Sequence, residues 1–283
     1  MFVDSPGHAD HCHLCALAAD IAMLVTCPTN EPFRPKIVET RARWCPAFDN
    51  TEQQDAHHAF DALMNACDRV DAAALLRKNP QLFDFQNSLL RHTTPFNRIF
   101  GGLALVTTSC GACGFRSQAY EMVHAHSLSI ADGRFDQIAT LLIEHLGKDS
   151  CTDDQDLCHE CLVHGRRTKE TIIHHWPAVL VVSFKRFAFD RNTQQQQKID
   201  RHIDFEEELP LGAGAATYHL RAVIMHEGTI AFGHYTAFVR SGLHNQWYFC
   251  NDAAMPRMVT DVKKQMLAAG NGRGQAYMLI YEQ

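Results

Sequence analysis

Two Cys-x-x-Cys pairs constrain this chain more than any other feature. "CGAC" spans Cys110 to Cys113 and "CHEC" spans Cys158 to Cys161. Two thiolates at this spacing reach one ion, and two such pairs complete a tetrahedral four-cysteine site. A closed site of this kind has no open coordination position, so zinc held there is structural. Its binding contributes on the order of 10 kcal/mol to the folding of the surrounding sub-domain. The interval from Gly114 to Leu157 is longer than a compact ribbon needs and leaves room for an inserted strand and helix. His159 and His164 lie nearby as substitute ligands. A third pair, "CHLC" at Cys12 to Cys15, is an alternative partner for a knuckle, though far off along the chain and beside a helix.

The 283 residues suffice for one large domain or two small ones. With 46% apolar and 20% charged residues the composition is that of a soluble globular protein. A formal net charge of −6 gives no reason to expect nucleic acid and mildly favours a basic protein partner. No apolar run is long enough to span a membrane, and the first residues lack a basic-then-apolar signal pattern. Eleven cysteines without such a signal read as reduced thiols and a metal rather than disulfides, which points to the cytosol, the nucleus or both.

The early part of the chain is helical in pattern. "LCALAADIAMLV" (Leu14 to Val25) reads as a helix closed by Pro28. Asp49 to Val70 reads as the best helix, capped by Asn50 or Thr51, with Phe60, Leu63, Met64 and Cys67 on one face. From about residue 99 onward strands dominate, interrupted by a helix over Arg134 to Leu146. "QQQQK" (Gln194 to Lys198) reads as a loop. Helices first and antiparallel strands later indicate an α+β fold.

"GHYTAFVR" (Gly233 to Arg240) and "NQWYFCND" (Asn245 to Asp252) flank a short loop and read as a hairpin. If the loop is Ser241 to His244, Arg240 pairs with Asn245 and His234 lies opposite Asn251. An amide oxygen there accepts the imidazole N–H and fixes the ring's tautomer, as a general base requires. A slip of one residue substitutes Asp252 or Cys250. A side-chain-free Gly233 allows another backbone to approach closely. A His–Asn pair commonly serves a cysteine, because imidazolium stabilises thiolate. Cys250 points away from Asn251. Cys12 and Cys15, at the start of a helix, are the local candidates for that thiol.

Six motifs in order resemble the ubiquitin-specific protease family of cysteine deubiquitinases, over nearly the whole chain. "GHYTAFVR" with "WYFCND" is similar to its histidine box, and "QQDAHHAF" (Gln53 to Phe60) to its Gln-Glu-Asp-Ala-His-Glu-Phe helix. "IFGG" (Ile99 to Gly102), the two knuckles, "VLVVSFKRF" (Val179 to Phe187) and "AYMLIYEQ" follow in the family's order. The resemblance implies a papain-like hand: a helical thumb over 1–98, zinc-bearing fingers over 99–187, and an antiparallel β palm over 188–283. It implies His234 with Asn251 or Asp252 as catalytic residues, and ubiquitin or ubiquitinated proteins as partners. Gln53, Asp55 and Gly233 would line the path of the ubiquitin tail. His58 and Ala59 depart from the family's Glu and Phe.

The family's cysteine box, Gly-Asn-Thr-Cys at its core, has no counterpart in the chain, and "CHLC" resembles the stretch that follows it. The reading is therefore a deubiquitinase domain that begins downstream of its nucleophile. The alternatives are a ubiquitin-binding pseudoenzyme and a zinc-ribbon module for nucleic acid, the last disfavoured by the acidic balance.

Overall fold

The computed structural model describes residues 12, 15–20, 35–48, 54–80, 88–147, 149–151, 157–190, 194–211, 217–230, 232–242, 244–252, 254–266 and 275–283. These fall into two units, 1–85 with 224–274, and 86–223 with 275–283. Helices and largely antiparallel sheets make the fold α+β. Among the described residues, no helix is long and apolar enough to cross a membrane.

The first unit is built on the helix Ala56–Lys78. Asp55 is its N-cap, accepting from the His58 backbone N–H at 2.9 Å. The expected caps, Asn50 and Thr51, lie outside the described residues. The helix continues past Val70 to Lys78, because "DAAALLRK" contains no breaker before Asn79 and Pro80. Met64, Cys67 and Ala72 are buried along it. Of the expected helix Leu14 to Val25, residues 15–20 are described, and they are helical. The same unit holds strands β11 (Gly233–Arg240), β12 (Trp247–Cys250) and β13 (Arg257–Val259), side by side in that order.

The second unit contains a four-stranded sheet ordered β2-β1-β5-β4: β1 Gly102–Cys110, β2 Arg116–Val123, β4 Asp149–Cys151 and β5 Arg167–His175. It also contains β3 (His126–Ser129), β6 (Val179–Lys185) and β14 (Gln275–Glu282), with β6 between the other two. β6 pairs antiparallel with β14 and parallel with β3. Its central position, buried on both faces, explains the near-continuous apolar run "VLVVSF", in which the buried Ser183 bonds Ser127. The helix Ile138–Leu146 packs on β3 and β5 through Ile138, Leu141 and Leu142. It starts later than the expected Arg134, whose guanidinium instead bonds Asp132 and Glu144.

Two strand-like stretches of the sequence are each divided between two strands. "EMVHAHSLSI" is divided between β2 and β3 at His124–Ala125, and "AVLVVSFKRFAF" between β6 and β7 (Phe187–Asp190) at Arg186. Arg186 is fully buried. Its Nε donates to the Ala276 carbonyl at 2.7 Å, and one terminal nitrogen donates to the Ile199 and Arg201 carbonyls, each at 2.8 Å. The expected glutamine loop is instead a strand, β8 (Gln195–Lys198), paired with β7. Glutamine has no strong strand preference, and the backbone ladder with "FAFD" decides the outcome.

The glycines of "IFGG" have a steric reason. A Cβ at Gly101 would lie 2.7 Å from the Asn97 carbonyl oxygen and 2.4 Å from the Met122 methyl.

Candidate functional site

Four cysteines converge in the second unit. The sulfurs of Cys110, Cys113, Cys158 and Cys161 all lie within 4.8 Å of one another. The pairing of β1 with β5 brings them together: Cys110 ends β1 opposite Arg167 at the start of β5, just beyond the second knuckle. The long interval between the knuckles therefore does not separate them. Each knuckle is closed in the same way. Gly114 N–H donates to the Cys110 carbonyl at 3.0 Å, and Leu162 N–H to the Cys158 carbonyl at 2.9 Å. Gly114 and Leu162 occupy equivalent places, and both have positive φ, 74° and 56°.

Across the knuckles, Cys110 Sγ is 3.9 Å from Cys161 Sγ, and Cys113 Sγ is 3.9 Å from Cys158 Sγ. A tetrahedron with Zn–S bonds of about 2.3 Å has S–S edges of about 3.8 Å, so the donor set matches a tetrahedral thiolate site. Backbone N–H groups of Cys113 and Ala112 hold the Cys110 thiol down to about 6. Those of Cys161 and Glu160 lower Cys158. The turns thus favour thiolates at Cys110 and Cys158, whereas burial and the neighbouring sulfurs push Cys113 up to about 12. These four residues can hold a metal ion.

The second constellation lies in the first unit. His234 Nε2 is 2.7 Å from Asn251 Oδ1 and 4.0 Å from Asp252 Oδ2. An amide oxygen only accepts, so Nε2 carries the proton and Nδ1 keeps the lone pair. The ring is thereby held in the tautomer that offers Nδ1 as a base. The strand register differs from the one expected from sequence. Arg240 faces Trp247 rather than Asn245, and Ala237 faces Cys250. The loop is longer than Ser241 to His244, closed by Ser241 N–H to the Gln246 carbonyl at 2.8 Å, with Asn245 at φ 54°.

Extending this ladder puts Thr236 opposite Asn251, with His234 a diagonal neighbour. A shift of two residues preserves the face of every side chain, which is why the imidazole still reaches the amide. Asn251 lies just past β12, where Ala254 N–H donates back to its carbonyl at 3.0 Å. Asp252 follows at φ 46°, a conformation that Asp tolerates.

Gln53 lies outside the described residues. Asp55 caps its helix, and the next backbone N–H, of Ala56, donates to Tyr235 Oη at 3.4 Å. Gly233 leaves room for both a side chain and a backbone: a Cβ there would lie 2.1 Å from His226 Nε2 and 3.0 Å from the Glu227 carbonyl oxygen. His226 in turn packs at a tilt of 50° against Tyr235, ring centroids 4.7 Å apart. Neither Tyr235 nor His226 was singled out from sequence. The available signal was the histidine of "HEG" placed one hairpin turn ahead of the glycine of "GHY". His58, a departure from the family pattern, packs edge-on against Phe48 at 5.1 Å.

Outside the knuckles, the thiols of Cys15, Cys67 and Cys250 are raised rather than activated. Cys12 is buried, and burial together with the Cys12 side chain pushes the Cys15 thiol up rather than down. Burial, with help from Cys12 and Asp71, pushes Cys67 up to about 12. Cys250 is also raised by burial. Although Cys15 starts a helix, desolvation outweighs any lowering of its thiol by the helix N-terminus.

Comparison with known proteins agrees with the motif order. The ubiquitin carboxyl-terminal hydrolase family model matches residues 4–281. Ubiquitin carboxyl-terminal hydrolase 2 of Rattus norvegicus is 26% identical over 310 residues, covering 100% of this chain and 48% of that protein. Ubiquitin carboxyl-terminal hydrolase 48 of the same species is 27% identical over 260 residues, covering 83% of this chain and 24% of that protein. The chain thus spans about half or less of the length of these curated relatives. Among solved structures, a chain of the SAGA Ubp8/Sgf11/Sus1/Sgf73 DUB module has the same fold, with a TM-score of 0.70 at 22% identity, covering 98% of this chain and 60% of that one. The matched residues leave little of the sequence unaccounted for: the chain belongs to the ubiquitin carboxyl-terminal hydrolase family.

Proposed function

We propose that the chain is a cysteine-type deubiquitinase domain, hydrolysing the isopeptide or peptide bond at the C-terminus of ubiquitin. The observation that carries this reading is the 2.7 Å bond from His234 Nε2 to Asn251 Oδ1. It leaves Nδ1 as the basic atom. That atom takes the proton of a thiol, and the resulting imidazolium stabilises the thiolate that attacks the carbonyl. Asn251 keeps the ring in place through both protonation states, because Nε2 donates in each. Asp252, at 4.0 Å, adds attraction once the ring is charged. Ubiquitin as the partner is supported by relatives named for this hydrolysis and by fold neighbours solved with monoubiquitin and ubiquitin aldehyde.

Zinc is the metal that best suits four thiolates at tetrahedral spacing, and its role here is structural. The fingers role goes to the sheet β2-β1-β5-β4 within 99–187, the thumb to the helices within 1–98 and the palm to the strands within 188–283. The described cysteines are all free of disulfides, which supports a cytosolic or nuclear setting.

One observation favours a second reading, a pseudoenzyme that binds ubiquitin without cleaving it. Among the described residues, the polar partners of His234 are Asn251 and Asp252, with no thiol. A ubiquitin derivative carrying a C-terminal electrophile separates the two. A covalent adduct that maps to one cysteine and disappears in His234→Ala supports the hydrolase. Saturable binding with no adduct supports the pseudoenzyme, and neither binding nor adduct refutes both.

A further inference from the structure

We infer that His226 is a positioning residue for His234, acting through the backbone of Gly233 and Tyr235. The inference deepens the hydrolase reading and rests on it for its functional meaning. The hairpin that ends β10 (Thr217–Gly228) and begins β11 turns over residues 229–232, where Thr229 N–H donates to the Phe232 carbonyl at 2.8 Å. Within it, the buried His226 ring occupies the volume that any side chain at position 233 would need. An added Cβ would lie 2.1 Å from Nε2, 2.7 Å from Cε1 and 3.0 Å from the Glu227 carbonyl oxygen. The same ring packs at a tilt against Tyr235, with centroids 4.7 Å apart.

Gly233 and Tyr235 are the two neighbours of His234, and alternation along a strand puts their side-chain face opposite its own. His226 therefore presses on the peptide units that carry His234 without touching its imidazole. Tyr235 is fixed from its other end, since its hydroxyl accepts the Ala56 N–H. The ring in the notch thus sets the backbone from which His234 reaches diagonally to Asn251. A diagonal contact has little slack, and a small rotation of the strand would break it.

The test is the tautomeric state of His234, read by long-range proton–nitrogen NMR on histidine-labelled, zinc-loaded protein. This readout needs no catalytic activity. In the parent, His234 is expected as the Nε2–H tautomer. In His226→Ala, its two nitrogen shifts should move toward the average of exchanging tautomers. His226→Phe, which keeps a flat ring in the notch, should retain the parent shifts and covers the case in which the alanine variant unfolds. Gly233→Ala should disturb His234 as His226→Ala does. The pair Gly233→Ala with His226→Ala should recover part of the tautomer bias, because the new methyl enters the space that the ring has left. Where the protein cleaves a ubiquitin C-terminal reporter, His226→Ala should lower kcat about 10- to 100-fold with KM changed only a few-fold. Unchanged His234 shifts in a folded His226→Ala protein, or loss of the bias in His226→Phe as well, would overturn the inference. Absence of turnover in the parent would count against the hydrolase reading alone, since the NMR result still decides the positioning role.

Discussion

His234 and Asn251 are bonded at 2.7 Å although the strand ladder does not set them opposite each other. The contact is diagonal, made from a β11 residue ahead of the stretch paired with β12 to the residue just beyond β12. Its strength therefore depends on ring orientation more than on strand pairing. Removing the base should cost more than removing its orienter. With a competent thiol, His234→Ala should lower kcat/KM by at least 10²–10⁴-fold. Asn251→Ala should cost roughly 10- to 100-fold, and Asp252→Ala added to it should cost more than Asp252→Ala alone. Initial rates on a ubiquitin C-terminal amide check the order; equal losses for Asn251→Ala and His234→Ala would contradict it.

The four knuckle sulfurs predict one zinc per chain. Replacing Cys113 or Cys161 with Ser should abolish the bound metal and unfold the sheet β2-β1-β5-β4, while the bond from His234 to Asn251 persists. Metal analysis by mass spectrometry, with amide exchange read separately over the two units, tests this. A folded, metal-free protein with normal protection in β1 and β5 would exclude the site.

Leu162 holds φ at 56° where the equivalent residue of the other knuckle is Gly114 at 74°. A left-handed conformation costs a non-glycine residue roughly 1–2 kcal/mol. Its side chain is 70% exposed, so little packing is lost with it. Leu162→Gly should therefore stabilise the protein by about 1 kcal/mol or tighten zinc several-fold. Chelator competition measures the second quantity, and weaker retention of metal would contradict the assignment.

Burial pulls the pKa values of His124 and His126 down to about 4, with Arg91 adding to the effect on the first and His145 on the second. Both rings are neutral in the folded protein at neutral pH. Below the unfolded-state value of about 6.5 the unfolded chain binds more protons than the folded one. Their contribution to stability is thus complete above about 6.5, falls as the pH drops toward 4, and then levels off. Urea midpoints should decline between pH 7 and pH 5, and the decline should shrink in His126→Gln. An unchanged slope in that variant would remove His126 from the cause.

Arg186 is a buried cation that donates to three backbone carbonyls. Desolvation lowers its pKa to about 10, so it remains charged at neutral pH. Arg186→Ala strands those carbonyls and should cost on the order of 3 kcal/mol or more. Arg186→Lys should recover only part, since a point charge cannot donate along three fixed directions. Equilibrium unfolding of the two variants distinguishes this from a simple charge effect.

The sequence by itself determined the parts governed by short-range chemistry. Two Cys-x-x-Cys turns carry their own geometry, so the ligand set was legible even though β1–β5 pairing had to join it. Alternation in "GHYTAFVR" and "WYFCND" fixed the faces of His234 and Asn251 because side-chain parity survives a shift of two residues. The tertiary structure alone decided the quantities that parity leaves open. The loop closed by Ser241 and Gln246, with Asn245 in the left-handed region, set the actual register. Asp55 became a helix cap because the helix starts at Ala56, a boundary that acidic and polar residues on both sides left ambiguous. The His226 ring fills the notch at Gly233, and backbone pairing with β7 makes a strand of the glutamines at 195–197. In each case the deciding partner is distant in sequence or chosen by backbone hydrogen bonding, and neither composition nor local periodicity encodes it.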